Sequence, residues 1–153
     1  MDQIDFVWKK FEELSLDDLY AILNLRQQVF IVEQDCPYID ADYSDQEAFH
    51  LLGYAKNKLI AYLRAFPPGI KYSTSSIGRI ITAIEYRNEG LGKKITLDGV
   101  AFLQKTFPGN DVVISAQHRL LGFYQDLGFI ERGNVYLEDN IDHIEMCLES
   151  PKK

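Results

Sequence analysis

The chain reads as an α/β (α+β) domain folded around a mixed central sheet of six or seven strands. Three observations predict this class. A run rich in β-branched residues, Ile77 to Ile84, leads into a glycine-bearing turn, a long stretch of helical periodicity and a second apolar run, Asp111 to Ala116. A strand, helix and strand of that size imply two parallel strands joined by a right-handed crossover. Short alternating segments on either side of this unit are joined by tight polar turns, which is the pattern of antiparallel pairs. A helical pattern precedes all of them, so helices and strands are interleaved in one layered unit.

In order along the chain, Phe6 to Phe11 fits either a short first strand or an irregular lead-in. Ser15-Leu16-Asp17-Asp18 is a capping-box pattern and opens a helix to about Val32. Leu16, Leu19, Tyr20, Leu23 and Phe30 mark its apolar face, widened by Ile22, Leu25 and Val29. From Glu33 to Glu47 the periodicity dissolves into a long acidic loop, either functional or a solvated connection. His50 to Ala55 and Leu59 to Phe66 form a hairpin about Lys56-Asn57-Lys58, and Pro67-Pro68-Gly69 ends it. Lys71 to Ser76 is a polar connection into the strand Ile77 to Ile84. The next helix carries Leu91, Ile95, Phe102 and Leu103 on one side and stops at Pro108-Gly109-Asn110. Gly99, in its middle, costs about 1 kcal/mol relative to alanine and points to close packing there. Arg119 to Leu127 is a short helix closed by Gly128, with Leu120, Phe123 and Leu127 on one stripe. Phe129 to Leu137 and His143 to Leu148 complete the sheet around Glu138-Asp139-Asn140. With no repeat, low-complexity tract or linker, residues 1–153 form a single domain.

Composition narrows the function. Sixteen Lys and Arg against 23 Asp and Glu give a net charge of −7, which repels nucleic-acid phosphate and anionic lipid. The surplus of acid suits an amine-bearing partner, or serves solubility alone. The two cysteines, Cys36 and Cys147, lie far apart and form no zinc or disulfide pattern, so a reducing cytoplasm is expected and no metal is. MDQIDFVWKKFEE has no apolar leader core, and no run approaches membrane-spanning length.

The chemistry concentrates at Arg87-Asn88-Glu89-Gly90-Leu91-Gly92-Lys93, an R-x-x-G-x-G turn between a strand and a helix. Glycines there let an anion approach the backbone, and the free N–H groups and positive dipole end of the new helix hold it. The spacing is neither that of the dinucleotide fingerprint nor that of the P-loop. Arg64 and Arg79 lie in apolar strands where a charge needs a partner. They bind an acidic group on a substrate, or pair with Glu33, Asp42 or Asp45. His50 and His143 each begin a strand and serve as bases or as structural hydrogen bonders.

The R-x-x-G-x-G turn, followed in the same chain by Phe123-Tyr124-Gln125-Asp126-Leu127-Gly128-Phe129, resembles the GNAT (Gcn5-related) N-acetyltransferases, whose cofactor is acetyl-coenzyme A. Further pieces, Leu25 to Phe30, Val32-Glu33-Gln34, Cys36-Pro37-Tyr38, Asp42, Asp45, His50, Ala61 to Arg64, Gly78-Arg79, Ala116-Gln117 and His143, are similar to the ElaA-like branch and cover almost the whole chain. The resemblance implies a GNAT domain with a splayed parallel pair. It places the pyrophosphate at Arg87 to Lys93, the pantetheine arm along the backbone of Ile80, Ile81 and Thr82 and at Gln117, and Tyr124 beside the sulfur. Gln117 stands where asparagine is usual in that family. The acceptor side then takes Arg26, Phe30, Glu33, Gln34, His50, Arg64 and His143, with Tyr124, Glu33 and His143 as the proton-transfer candidates. The implied reaction is direct attack on acetyl-coenzyme A by a small-molecule or peptide amine in a ternary complex, with a homodimer left open. The alternative is a noncatalytic acyl-coenzyme A sensor acting through a protein partner.

Overall fold

Two hairpins show how local sequence sets the strands. Lys56 and Asn57 have φ of +50° and +63°, and Asp139 and Asn140 have +50° and +62°. Consecutive left-handed residues of this kind form the two-residue turn that matches strand twist. In the computed structural model, which describes residues 2–151, these turns join β2 (Phe49–Ala55) to β3 (Lys58–Phe66) and β6 (Ile130–Glu138) to β7 (Ile141–Leu148). With β1 (Asp5–Lys10), β4 (Ser75–Thr82) and β5 (Val112–Gln117) they build one seven-stranded sheet in the order β1-β2-β3-β4-β5-β7-β6. Every pairing is antiparallel except β4 with β5. Phe6 to Phe11 therefore contributes a true strand.

Helix α1 (Leu16–Arg26) begins at Ser15, whose hydroxyl accepts the Asp18 N–H at 2.9 Å. Its turns widen to the π-helical form over Gln27 to Glu33. The buried face is the Ile22, Leu25 and Val29 side of the expected stripe, joined by two charged residues. Leu16 and Tyr20 are 87% and 77% exposed, whereas Asp18, Ile22, Leu25, Arg26 and Val29 are buried. Two charged residues on the inner stripe disguised it, because each is neutralised by a partner distant in sequence: Lys9 holds Asp18 at 2.7 Å.

Helix α2 (Leu91–Thr106) packs Leu91, Ile95, Val100 and Leu103 on β3 and β4. A Cβ on Gly99 would meet Leu63 at 3.0 and 3.1 Å, so glycine sets how closely helix and sheet approach. Leu63 faces α2, and its neighbours Tyr62 and Arg64 point to the opposite face, where α1 lies. On the α2 side Phe102 stacks on Trp8 at 4.0 Å. Helix α3 (Leu121–Asp126) follows β5 and buries Tyr124 rather than Phe123, which is 37% exposed.

Strand β4 positions the site. Tyr62 faces Ile81 but Arg64 faces Gly78, so β4 carries one extra residue, and Arg79 takes φ +50° in that bulge. The strand ends at Thr82, two residues before the expected Ile84, and a short turn follows over Ile84–Tyr86. Strands β4 and β5 pair only at Ser75–Val112 and Ser76–Val113. Beyond that they diverge and leave a wedge in the middle of the sheet. No helix among the described residues is long and apolar enough to cross a membrane.

Candidate active site

The wedge opens into a cleft of about 900 Å³ with two arms that meet between β4 and β5. One arm is made by the turn before α2 and by α3. Gly90 caps α2 with φ +78° and no side chain accepts from the first turn, so the leading N–H groups of the helix are free to bind an anion. Nothing lies within 4 Å of where a Gly90 Cβ would be, and Gly92 has only Phe123 and Thr82 at 3.8 and 3.9 Å. Arg87, Asn88, Leu91 and Lys93 line this arm and Glu89 does not, which keeps its carboxylate out of the anion site. These groups fit a diphosphate. Ala83 N–H donates to Ile60 O on the β3 side at 2.7 Å, so strand alternation turns the backbone of Thr82 into the wedge. There the Thr82 carbonyl accepts from Arg87 Nε at 2.9 Å.

Tyr124 lies where the arms meet. It is 7% exposed and packs edge-on to Phe123 and Phe129. Burial pushes its phenol up to about 12, against a small opposing pull from Arg119. It therefore keeps its proton at neutral pH. Gln117, at the end of β5, donates to Gln34 Oε1 at 3.1 Å and accepts from Arg119 Nε at 2.9 Å.

The second arm lies over β5, β7 and β6 and under the acidic loop. His143 sits on β7 opposite Gln117 and is 7% exposed. Its Nδ1 contacts the Ile141 carbonyl at 2.7 Å; a carbonyl only accepts, so Nδ1 carries the hydrogen and Nε2 faces the Glu138 carboxylate at 3.3 Å. Ser115 hydrogen-bonds Tyr136 and Glu138 beside this pair. Tyr72 is pushed up to about 12 by burial and then by the nearby Tyr136, Glu145 and Glu138.

The family model described as "Acetyltransferase (GNAT) domain" matches residues 26–150. This chain belongs to that family. It is 39% identical to the protein ElaA of Escherichia coli K12 over 139 residues, 90% of this chain and 91% of that one. The crystal structure of E. coli ElaA superposes with a TM-score of 0.90 at 36% identity, covering 96% and 100% of the two chains. An acyl-CoA N-acyltransferase from Pseudomonas aeruginosa superposes at 0.91 with 35% identity, covering 95% and 99%. GNAT proteins transfer acyl groups from acyl-coenzyme A, and the first arm has the anion-holding features that such a donor needs.

Within this GNAT fold, the expected acceptor residues divide. Phe30, Glu33, Gln34, Arg64 and His143 line the cleft. Arg26 and His50 do not belong to it, which corrects their expected role as substrate contacts. Arg26 is fully buried, with Nε on Asp40 and Nη1 on Asp45, both at 2.7 Å. His50 is 1% exposed and lies against the Tyr62 hydroxyl at 2.6 Å and the Asp45 carbonyl at 2.9 Å. Burial holds its imidazole below the usual histidine range.

The acidic loop is likewise turned inward. Asp42 takes both terminal nitrogens of Arg64, at 2.9 and 2.6 Å, and Arg79 Nε binds Asp40 at 2.7 Å. Its aspartates neutralise the protein's own arginines rather than wait for a cation. Glu33 pairs with Arg87, through contacts of 2.7 and 2.9 Å, and not with Arg26. Sequence reasoning missed Lys71, Tyr72, Ser115 and Glu138 in the second arm. Ser115, a hydroxyl inside an otherwise apolar strand, was the one visible signal. The other three lie in segments that read as connections or turns.

Proposed function

We propose that the chain is an acetyl-coenzyme A-dependent N-acetyltransferase that acts on a primary amine by direct attack. One observation carries this reading. A single cleft runs from an uncapped, glycine-lined helix start, past a buried protonated tyrosine, to a histidine whose tautomer is fixed. Bound acetyl-coenzyme A would supply the activated thioester carbonyl. Arg87, Asn88, Gly90, Gly92 and Lys93 would hold its diphosphate, and the wedge-facing backbone of Ile80 and Thr82, on either side of Ile81, with Gln117, its pantetheine arm.

His143 accepts the proton of the incoming ammonium at Nε2, and Glu138 supports the charge that forms there. Tyr124 keeps the proton that the departing sulfur requires, because burial disfavours its phenolate. A backbone N–H of β4 stabilises the carbonyl oxygen as charge develops on it. Glu33, occupied by Arg87, acts through that arginine rather than as the base. The two free thiols and the absence of a membrane-spanning helix among the described residues suit a cytoplasmic enzyme.

The test is steady-state release of free thiol from acetyl-coenzyme A with a panel of amines. Amine-dependent release supports the reading. Tight binding of coenzyme A with no release for any amine would favour a sensor instead.

A further inference from the structure

The second arm has a charged end that the transfer chemistry does not use. Arg26, Arg64, Arg79 and Lys71 surround Asp40, Asp42 and Asp45, so four cations meet three carboxylates. The excess positive charge lies at the cleft. Lys71 reaches Asp42 only at 3.4 Å, keeps 35% of its side chain exposed, and projects over the Phe66 ring at 5.5 Å. Arg64, also lining the cleft, is 3% exposed, and its Nε is buried with no hydrogen-bond partner. That nitrogen has no accessible surface, so a ligand in the cleft meets Arg64 through its charge rather than through this donor.

The opposite end of the same arm is anionic and aromatic. Glu138 faces His143, with Tyr136 and Tyr72 close by. Lys71 and Tyr72 are adjacent in sequence, so the two ends are joined through one short stretch of chain. An acceptor lying along this arm meets carboxylate and imidazole at one end and a partly exposed lysine at the other.

We infer that the acceptor is an amine that also carries a carboxylate, an amino acid in the chemical sense, and that Lys71, with the Arg64 charge behind it, binds that carboxylate. This rests on the acyl-transfer reading and narrows it. A simple amine or polyamine would bring like charge to Lys71 and to the surplus cation behind it. A carboxylate accepts from Lys71, and its charge balances the surplus cation.

The experiment compares free α-amino acids with the same amines lacking the carboxylate and with their neutral carboxamides, by thiol release from acetyl-coenzyme A. Lys71→Met removes the charge and keeps an apolar stem over Phe66; Lys71→Arg keeps the charge. Amino acids should have the higher kcat/KM. Lys71→Met should cut the preference for the carboxylate-bearing member of each pair by about tenfold, the worth of one charged hydrogen bond, and Lys71→Arg should restore most of it. Equal or greater activity with carboxylate-free amines, or a preference unchanged in Lys71→Met, overturns the subsite. If no amine of any kind releases thiol although coenzyme A binds, the acyl-transfer reading fails. The subsite is then judged by thermal shift with amino acids and their N-acetyl derivatives, and no stabilisation by either overturns it.

Discussion

Replacing Glu33 with glutamine separates two roles that the sequence alone cannot. In the folded protein Arg87 spends both terminal nitrogens on Glu33, at 2.7 and 2.9 Å, and its Nε on the Thr82 carbonyl. A diphosphate arriving at the α2 turn has to take those two nitrogens from the carboxylate. The pair is partly solvated, with side chains 32% and 37% exposed, so water screens it and its worth is at most about 1 kcal/mol. Removing the competing charge should then tighten coenzyme A binding by up to about fivefold. The turnover number should change by less than about threefold. A general base in this position would instead contribute 10²–10⁴-fold, so its loss would be unmistakable. Calorimetry with coenzyme A and steady-state thiol release read the two quantities separately. A fall in kcat of about 100-fold or more with unchanged affinity would establish Glu33 as the base and refute the reasoning. Weaker binding of coenzyme A would show that Glu33 orients Arg87 rather than competing for it.

Three further outcomes are expected. Tyr124→Phe keeps the packing against Phe123 and Phe129 and removes only the hydroxyl, so kcat should fall by about 10² with stability little changed; wild-type turnover under chemistry-limited conditions would make it a packing residue. Gly90→Glu would put a carboxylate into the open space before α2, at a left-handed φ, and should weaken coenzyme A at least about tenfold; a control at the equally left-handed Gly109, far from the cleft, separates strain from repulsion. Burial alone would raise Asp42 and Asp45, but Arg64 and Arg26 outweigh it and hold both carboxyls below the usual range. A depressed folded pKa gives stability that is present above the unfolded value of about 3.9 and lost as pH falls through the folded value. The urea midpoint should therefore drop steeply below about pH 4. The neutral His50 adds a gentler loss starting near pH 6.5, because the unfolded imidazole takes a proton that the buried one refuses. A midpoint that is flat from pH 7 to 3 would show the aspartate network to be energetically silent.

The sequence by itself determined the elements and the first arm of the cleft. Strand alternation, the Ser15 cap, the paired turn residues and the glycines at 90 and 92 all act through contacts a few residues long, and local pattern reports local physics. The Arg87 to Lys93 turn was legible for the same reason, since an uncapped helix start with no side chain at Gly90 leaves its leading N–H groups free wherever it lies.

Tertiary structure decided the partners of the charged groups. Arg26 and Arg64 look alike in sequence as cations in apolar segments. Only the fold shows that Arg26 is spent on Asp40 and Asp45 away from the cleft, whereas Arg64, held by Asp42 and Asp45, still lines it. The burial of Asp18 and Arg26 on α1 was missed for the same reason, because a charged residue reads as exposed until its distant partner is known. Glu33 meets Arg87 across 54 residues, and Lys71 lines a cleft whose histidine lies on the last strand. Charge pairing acts through space at a few ångströms and leaves no periodicity in the chain, so the second arm could be seen only when the strands had brought its residues together.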